Sequence, residues 1–238
     1  LPKDRQGEVY HRYVLGLYEL MERITSAFPD VLFEGCSGGG GRFDAGFAYY
    51  MPQIWTSDNT DAVSRLTIQY GTSLVYPISM TTAHVSAIPN HQTGRKTPFE
   101  TRGNAAMSAV FGYELDLTKM SQEDKDQVKE QVACYKEIRK LIQYGNFYRL
   151  KSPVETNQAA WMFVSDDKRD VCVMTFQVLA SAQPCLTKTK LFGLDPELEY
   201  ENLETHEIFG GDELMELGFY DPIVHQDYTS KMYRFKGI

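Results

Sequence analysis

The most constraining feature of this 238-residue chain is a repeated order of amphipathic helix, short apolar run and polar or glycine-rich loop, which fills its first 145 residues. Residues 7–27 predict a helix, because apolar side chains recur there every three or four positions. Residues 31–33 are apolar without alternation and predict a strand buried on both faces, which leads into the glycine run 38–41. Helices and strands alternating in this way indicate a parallel α/β architecture.

Three more strands are predicted, at residues 49–55, 73–77 and 111–117. Further helices are predicted from Ala62 to Gly71, from a Thr97-Pro98-Phe99-Glu100 start signal to about Val110, and after a capping Ser121. Four parallel strands fit a doubly wound sheet, and they also fit half of a (β/α)8 barrel with two open edges. The periodicity leaves both architectures open.

The pattern changes after residue 145. Residues 161–164 and 171–176 are β-rich runs on either side of a charged turn at 166–170, and we expect no further amphipathic helix. Residues 146–238 are therefore predicted to form a separate antiparallel β domain of the sandwich type.

Composition excludes several classes of function. The net charge is -8 and the basic residues are scattered, so a nucleic-acid surface is not expected. No apolar run approaches the roughly 20 residues that span a bilayer, so no membrane partner is expected. The four cysteines form no CxxC pair and have no metal-ligand spacing with the histidines, which favours free thiols in the cytoplasm and no metal or cofactor. Because the first residue is Leu1 rather than Met, we expect the chain to be part of a longer protein.

Functional groups of parallel α/β proteins collect where strands end, which here means loops 35–44, 55–61 and 79–95. The glycine run allows close backbone approach to a ligand or is a flexible turn, and it lacks the Lys-Ser or Lys-Thr of a phosphate loop. Cys36 is either a buried structural thiol or a hydrogen-bond partner for a hydroxyl. His84 and His91 share the third loop, where loop hydrogen bonding is favoured over metal binding.

Asp58 and Asp61 follow the second strand. Asp61 is explained as an acid in the first turn of the next helix, where it faces the helix dipole. Asp58 lies beside an aromatic-rich strand and suits general-acid chemistry, although local sequence is equally consistent with a solvated loop acid.

Two long segments then carry a resemblance, FEGCSGGGGRFD at Phe33–Asp44 and MPQIWTSDNTD at Met51–Asp61. They closely resemble bacterial α-galactosidases of glycoside hydrolase family 36. Shorter matching segments follow in the same order along the chain: Tyr70–Pro77, His84–Ala87, Pro89–Gln92 and Phe111–Leu117.

The resemblance implies a retaining mechanism in a (β/α)8 barrel that is followed by a β-sandwich. Residues 1–145 would then be the C-terminal half of the barrel, strands five to eight, and residues 146–238 the sandwich. It also implies no cofactor, a homo-oligomer, and terminal α-linked galactose as the substrate, as in melibiose and raffinose.

Site residues follow from the same resemblance. The acid/base of the family falls on Asp58, and its galactose-binding Cys and Gly fall on Cys36 and Gly39. Trp55, in the same segment as Asp58, is a further candidate for substrate binding. The family's nucleophile is the Asp of a Lys-Trp-Asp segment, which this chain does not contain. We therefore expect these 238 residues alone to be inactive.

Two alternatives stay open at this point. A related specificity, for α-N-acetylgalactosaminides or for transglycosylation to raffinose-type sugars, would use the same segments. The second alternative belongs to a different class of function: a non-catalytic or degenerate fragment, whose β domain has only a packing role or binds sugar weakly.

Overall fold

The computed structural model describes residues 1–238, which divide into two compact units, Leu1–Asp58 and Asn59–Ile238. The α-helices are α1 Val9–Ala27, α2 Ala45–Tyr50, α3 Ala62–Thr72, α4 Phe99–Met107, α5 Gln122–Tyr144 and α6 Gly211–Glu216. The strands are β1 Glu34–Gly35, β2 Gln53–Trp55, β3 Thr81–Ser86, β4 Val110–Glu114, β5 Asn146–Lys151, β6 Gln158–Val164, β7 Asp170–Gln177, β8 Lys188–Thr189, β9 Glu199–Asn202, β10 Ile208–Gly210, β11 Phe219–Tyr220 and β12 Thr229–Gly237. None of these helices has the length and apolar character to cross a membrane.

The Leu1–Asp58 unit combines α1 and α2 with two short strands. Strands β1 and β2 are parallel, with Glu34 opposite Gln53 and Gly35 opposite Ile54. Met21 of α1 packs with Phe47 of α2 and Ile54 to form a small apolar core.

The Asn59–Ile238 unit holds parallel and antiparallel pairing. Strands β3 and β4 are parallel, whereas six strands form an antiparallel sheet in the order β10-β9-β12-β7-β6-β5. Strands β8 and β11 form a separate antiparallel ribbon. The chain is thus a mixed α/β protein with both kinds of sheet.

Polar side chains help to fix α3 and α5 in this unit. Arg65 of α3 is 2% exposed and donates to the Thr82 carbonyl oxygen at 2.7 Å, and its burial lowers its pKa to about 10. Ser121 caps α5 by accepting a hydrogen bond from the Asp124 amide. A capping side chain satisfies a backbone donor that the helix itself leaves unpaired.

Several predicted elements are confirmed. Helices α1, α3 and α4 lie within about three residues of their predicted bounds, α5 begins directly after its predicted cap Ser121, and β6 and β7 form a hairpin around the predicted charged turn. Helix α5 buries Ile138 and Ile142.

Two of the four predicted parallel strands are wrong in position. The strand expected at 31–33 is instead Glu34–Gly35, and Val31 and Leu32 are exposed. The strand expected at 73–77 is a turn, because the Leu74 and Val75 amides donate to carbonyls at the end of α3. The strand begins only at Thr81, so His84 lies within β3 rather than in a loop.

Other differences arise from local hydrogen bonding. Residues 49–55 were expected to be one strand, but α2 extends to Tyr50, since Asp44 caps it by accepting from the Phe47 amide. Thr97 was expected to cap α4, yet its hydroxyl is buried without a partner and Pro98 occupies the cap position. Helix α6 was not expected; it has only six residues, too few for helical periodicity to be recognised.

The predicted domain boundary at residue 145 stays a prediction. One apolar core joins residues on both sides of it, since Ile138 and Ile142 of α5 pack in the same cluster as Trp161, Phe163 and Met174 of the antiparallel sheet. Helix α5 therefore shares its buried face with the sheet that follows it.

Candidate functional site

The site begins with two neighbouring parallel strands in the Leu1–Asp58 unit. Strand β1 leads into loop 36–44 and β2 leads into residues 56–58. Because parallel strands end at the same edge of a sheet, both loops emerge side by side. All four candidate residues, Cys36, Gly39, Trp55 and Asp58, lie at this edge.

Gly39 lies against the backbone that carries Asp58. Its φ is +72°, and a Cβ built on it would be 2.5 Å from the Asp58 amide nitrogen and 2.8 Å from the Ser57 Cα. Gly40, with φ +91°, approaches the Thr56 carbonyl oxygen in the same way, at 3.0 Å. Only glycine combines this backbone angle with such a close approach. The geometry supports the close-approach interpretation of the glycine run over the flexible turn.

Trp55 orients the Asp58 carboxylate. The indole ring is 8% exposed, and its Nε1–H donates to Oδ1 of Asp58 at 3.1 Å. Asp58 itself is exposed in this chain. A hydrogen bond from a packed ring restricts the rotation of the carboxylate, so Trp55 acts on the site through Asp58. A direct contact of Trp55 with substrate stays a prediction.

Cys36 follows β1 directly and is an exposed free thiol. The expectation of a buried structural thiol is therefore not met in this chain. An exposed thiol at the strand edge can reach a ligand hydroxyl, which is the other role that the sequence left open.

Sequence reasoning missed the residues that hold loop 36–44 in place. The Arg42 guanidinium donates to Ser37 Oγ at 2.6 Å and to Tyr13 Oη of α1 at 2.8 Å. The Tyr18 hydroxyl of α1 donates to Asp44 at 2.8 Å. The hydrogen bond from the Phe47 amide lowers the pKa of the Asp44 carboxyl, so it stays ionised as an acceptor. The only signal in the sequence was an arginine directly after the glycine run.

Asp61 has a structural role in the Asn59–Ile238 unit. Its side chain is 1% exposed, accepts hydrogen bonds from the Ser64 amide and hydroxyl, and pairs with Arg95. It caps α3 rather than lying inside its first turn. These partners satisfy the carboxylate and leave Asp58 as the acid of this segment that faces solvent.

The two histidines of the third loop region are not gathered into a metal site. His84 lies in β3 and His91 in the loop after it. No group of three or more His, Cys, Asp or Glu side chains is close enough to hold a metal ion.

Gly39→Ala is expected to destabilise the Leu1–Asp58 unit more than Gly38→Ala. Both glycines have positive φ, which costs about 1–2 kcal/mol for an L-residue. Only Gly39 would also place a Cβ against backbone, whereas Gly38 has nothing within 4 Å of its Cβ position. The free energy of unfolding from urea titration, with limited proteolysis of loop 36–44, measures the difference. Equal losses for the two variants would contradict the packing described here.

Comparisons with known proteins place this geometry in a family. Residues 1–145 match the Melibiase family model, and residues 158–235 match the model of the glycosyl hydrolase family 36 C-terminal domain. α-Galactosidase 1 of Pediococcus pentosaceus is 68% identical over 238 residues, which are 100% of this chain and 32% of that protein. α-Galactosidase Mel36A of Lactobacillus acidophilus is 63% identical over the same coverage.

A solved structure of another α-galactosidase has the same fold as this chain. The family 36 α-galactosidase AgaA of Geobacillus stearothermophilus superposes with a TM-score of 0.97 at 58% identity, over 100% of this chain and 33% of AgaA. Variants of AgaA have been solved with raffinose and with stachyose. The chain thus spans about a third of the length of the relatives it matches, and it belongs to the melibiase family of glycoside hydrolases, family 36.

Proposed function

We propose that the protein containing this chain is a retaining α-galactosidase in which Asp58 is the general acid/base. The observation that carries the proposal is the assembly of Trp55, Asp58 and Gly39 at one strand edge. The carboxylate is oriented by an indole N–H, and the glycine-rich loop lies against its backbone. The close relatives named as α-galactosidases support the same function.

The chemistry needs two carboxyl groups about 5–5.5 Å apart. In the first step a carboxylate attacks the anomeric carbon while the Asp58 carboxyl gives its proton to the departing glycosidic oxygen, which leaves as an alcohol. In the second step Asp58 takes a proton from a water molecule as its oxygen attacks the anomeric carbon, the ester bond between that carbon and the nucleophile breaks to release the carboxylate, and galactose leaves with its α configuration retained. We assign the two proton transfers to Asp58. We assign the attack on the anomeric carbon to a carboxylate outside this chain.

Substrate binding is assigned to the loop beside Asp58. Cys36 and Gly39 would contact galactose hydroxyls, since the thiol is exposed and Gly39 lies in the loop that approaches the Asp58 backbone. The proposed substrates are melibiose and raffinose, in keeping with the AgaA complexes with raffinose and stachyose. Turnover of an N-acetylgalactosaminide would instead indicate an α-N-acetylgalactosaminidase. Formation of a longer sugar from raffinose would instead indicate a transglycosylase.

We also propose that residues 1–145 are the C-terminal half of a (β/α)8 barrel, that residues 146–238 are a β-sandwich, and that the enzyme is a cytoplasmic homo-oligomer. The parallel pairs β1–β2 and β3–β4 support the first assignment, and the six-stranded antiparallel sheet supports the second. The four free cysteines suit a reducing compartment. Light scattering on the whole protein measures the oligomeric state.

The purified 238-residue chain alone is expected to hydrolyse melibiose no faster than buffer, because Asp58 supplies only one of the two carboxyl roles. The matched control is the same chain with Asp58→Asn, which should give an identical background rate. Turnover by the chain that disappears in the Asp58→Asn control would show that a nucleophile is present within these residues and would overturn the assignment.

A further inference from the structure

A cavity lies on the antiparallel sheet of the Asn59–Ile238 unit. Its volume is about 390 Å3, and its walls come from β5, β6, β7, β12 and the segment after β11. Ligand sites of small molecules typically occupy ~300–1,000 Å3. The cavity is therefore large enough for one ring of a sugar or a molecule of similar size.

A buried ion pair fixes one wall of the cavity. Lys151 Nζ donates to Asp221 Oδ2 at 2.6 Å, with the two side chains 18% and 8% exposed. Thr187 and Thr189 donate their hydroxyls to the same carboxylate, and Gln158 Oε1 accepts from Lys151 at 3.0 Å. Because the buried charges are paired and hydrogen-bonded, this wall is preorganised before any ligand arrives.

The charges around the cavity favour a neutral ligand. Its charged lining residues are two acids, Glu100 and Asp221, and two bases, Lys151 and Lys231, so the formal charges balance. Lys151 is paired with Asp221, and Lys231 is paired with Glu204 at 2.6 Å. A phosphate or carboxylate ligand would have to compete with these acids for each ammonium group, whereas a neutral ligand would not.

Tyr233 supplies an unused polar group at the cavity. Its ring packs against Phe219 with centroids 4.7 Å apart, and the structure shows no hydrogen-bond partner for its hydroxyl. Burial, with the charge of Asp221, raises its pKa to about 12, so the hydroxyl stays protonated at neutral pH. Tyr233 is half-buried and lines the cavity, and its phenol O–H can donate a hydrogen bond to a ligand.

We propose that this cavity is a second carbohydrate site, which binds one neutral hexose residue of an oligosaccharide without cleaving it. Hydroxyl and amide groups of Tyr233, Gln158 and Thr175 offer hydrogen bonds to sugar hydroxyls, while Pro222 and Val224 add apolar surface. The Asp221 carboxylate is held by three donors and is not available for proton transfer, so the site binds only. This site goes beyond the proposed function and does not depend on the role of Asp58.

The test is a calorimetric titration of raffinose into the protein that contains this chain, with Asp58→Asn as background so that little sugar is consumed during the titration. We expect two raffinose molecules per chain. Adding Tyr233→Phe should weaken one of the two binding events at least about 5-fold, because a hydrogen bond of about 1 kcal/mol is lost. Tyr220→Phe is the matched control, since Tyr220 is an exposed tyrosine on β11, and it should change neither event.

The outcomes separate this site from the catalytic proposal. A single raffinose per chain, or two events unchanged by Tyr233→Phe, would overturn the second site. Inorganic phosphate binding that is weakened by Tyr233→Phe would also overturn it, because the cavity would then select an anion. An unchanged thermal midpoint in Tyr233→Phe shows that the fold is intact. Tyr233→Phe alone, without Asp58→Asn, should change the rate of raffinose turnover by no more than about two-fold. The binding result therefore holds even if the catalytic role of Asp58 is disproved.

Discussion

In the protein that supplies the nucleophile, Asp58→Asn is expected to lower kcat/KM for melibiose by about 10²- to 10⁴-fold, the range of a lost general acid. The galactoside oxygen of melibiose leaves as an alcohol and needs the proton that Asp58 would give. Nitrophenolate leaves without protonation, so kcat/KM for nitrophenyl α-galactoside should fall much less. Steady-state kinetics with both substrates measure the contrast.

Azide provides an independent check of the second step. It attacks the galactosyl intermediate without losing a proton, so it should raise kcat of Asp58→Asn on the nitrophenyl substrate and yield α-galactosyl azide. Asp30→Asn, at an exposed turn, is the matched control and should leave both substrates unaffected. Equal losses for the two substrates, with no rescue by azide, would remove Asp58 from the acid/base role.

The sequence predicted the helices well because their signals are local. Ser121 bonds the amide of Asp124, three residues away, and Asp61 bonds that of Ser64 in the same way. Such contacts depend only on the conformation of a few consecutive residues. The order of helices and strands followed from the same local patterns.

The short parallel strands were harder, because an apolar run does not show where pairing with another strand begins. The apolar Val31 and Leu32 led to the prediction of a buried strand, but the pairing of β1 with β2 begins at Glu34, opposite Gln53. The strand prediction for residues 73–77 was wrong for another reason, since amides in this segment donate hydrogen bonds to carbonyls of the preceding helix. Both errors concern hydrogen-bond partners that composition does not encode.

In the candidate site too, contacts between residues close in sequence could be predicted and contacts between distant residues could not. The Trp55–Asp58 contact spans three residues, and the family motif drew attention to both. The approach of Gly39 to Asp58 depends on the pairing of two strands, and Arg42 reaches Tyr13 across 29 positions of the sequence. Motifs therefore supplied the candidate residues for the chemistry, whereas only the fold showed which contacts hold them in place.

Trp161→Ala is expected to lower the free energy of unfolding by about 3–5 kcal/mol, the largest stability effect that we predict. The indole is 1% exposed in the middle of β6 and packs on Phe176 with centroids 4.9 Å apart, within the core that joins α5 to the antiparallel sheet. Trp161→Phe should cost far less, because a ring remains and the indole N–H, which is buried without a partner, is removed. Urea unfolding followed by circular dichroism measures both variants, with Tyr144→Ala at a 77% exposed position as the control. Similar midpoints for Trp161→Ala and the Tyr144→Ala control would mean that this core does not stabilise the unit.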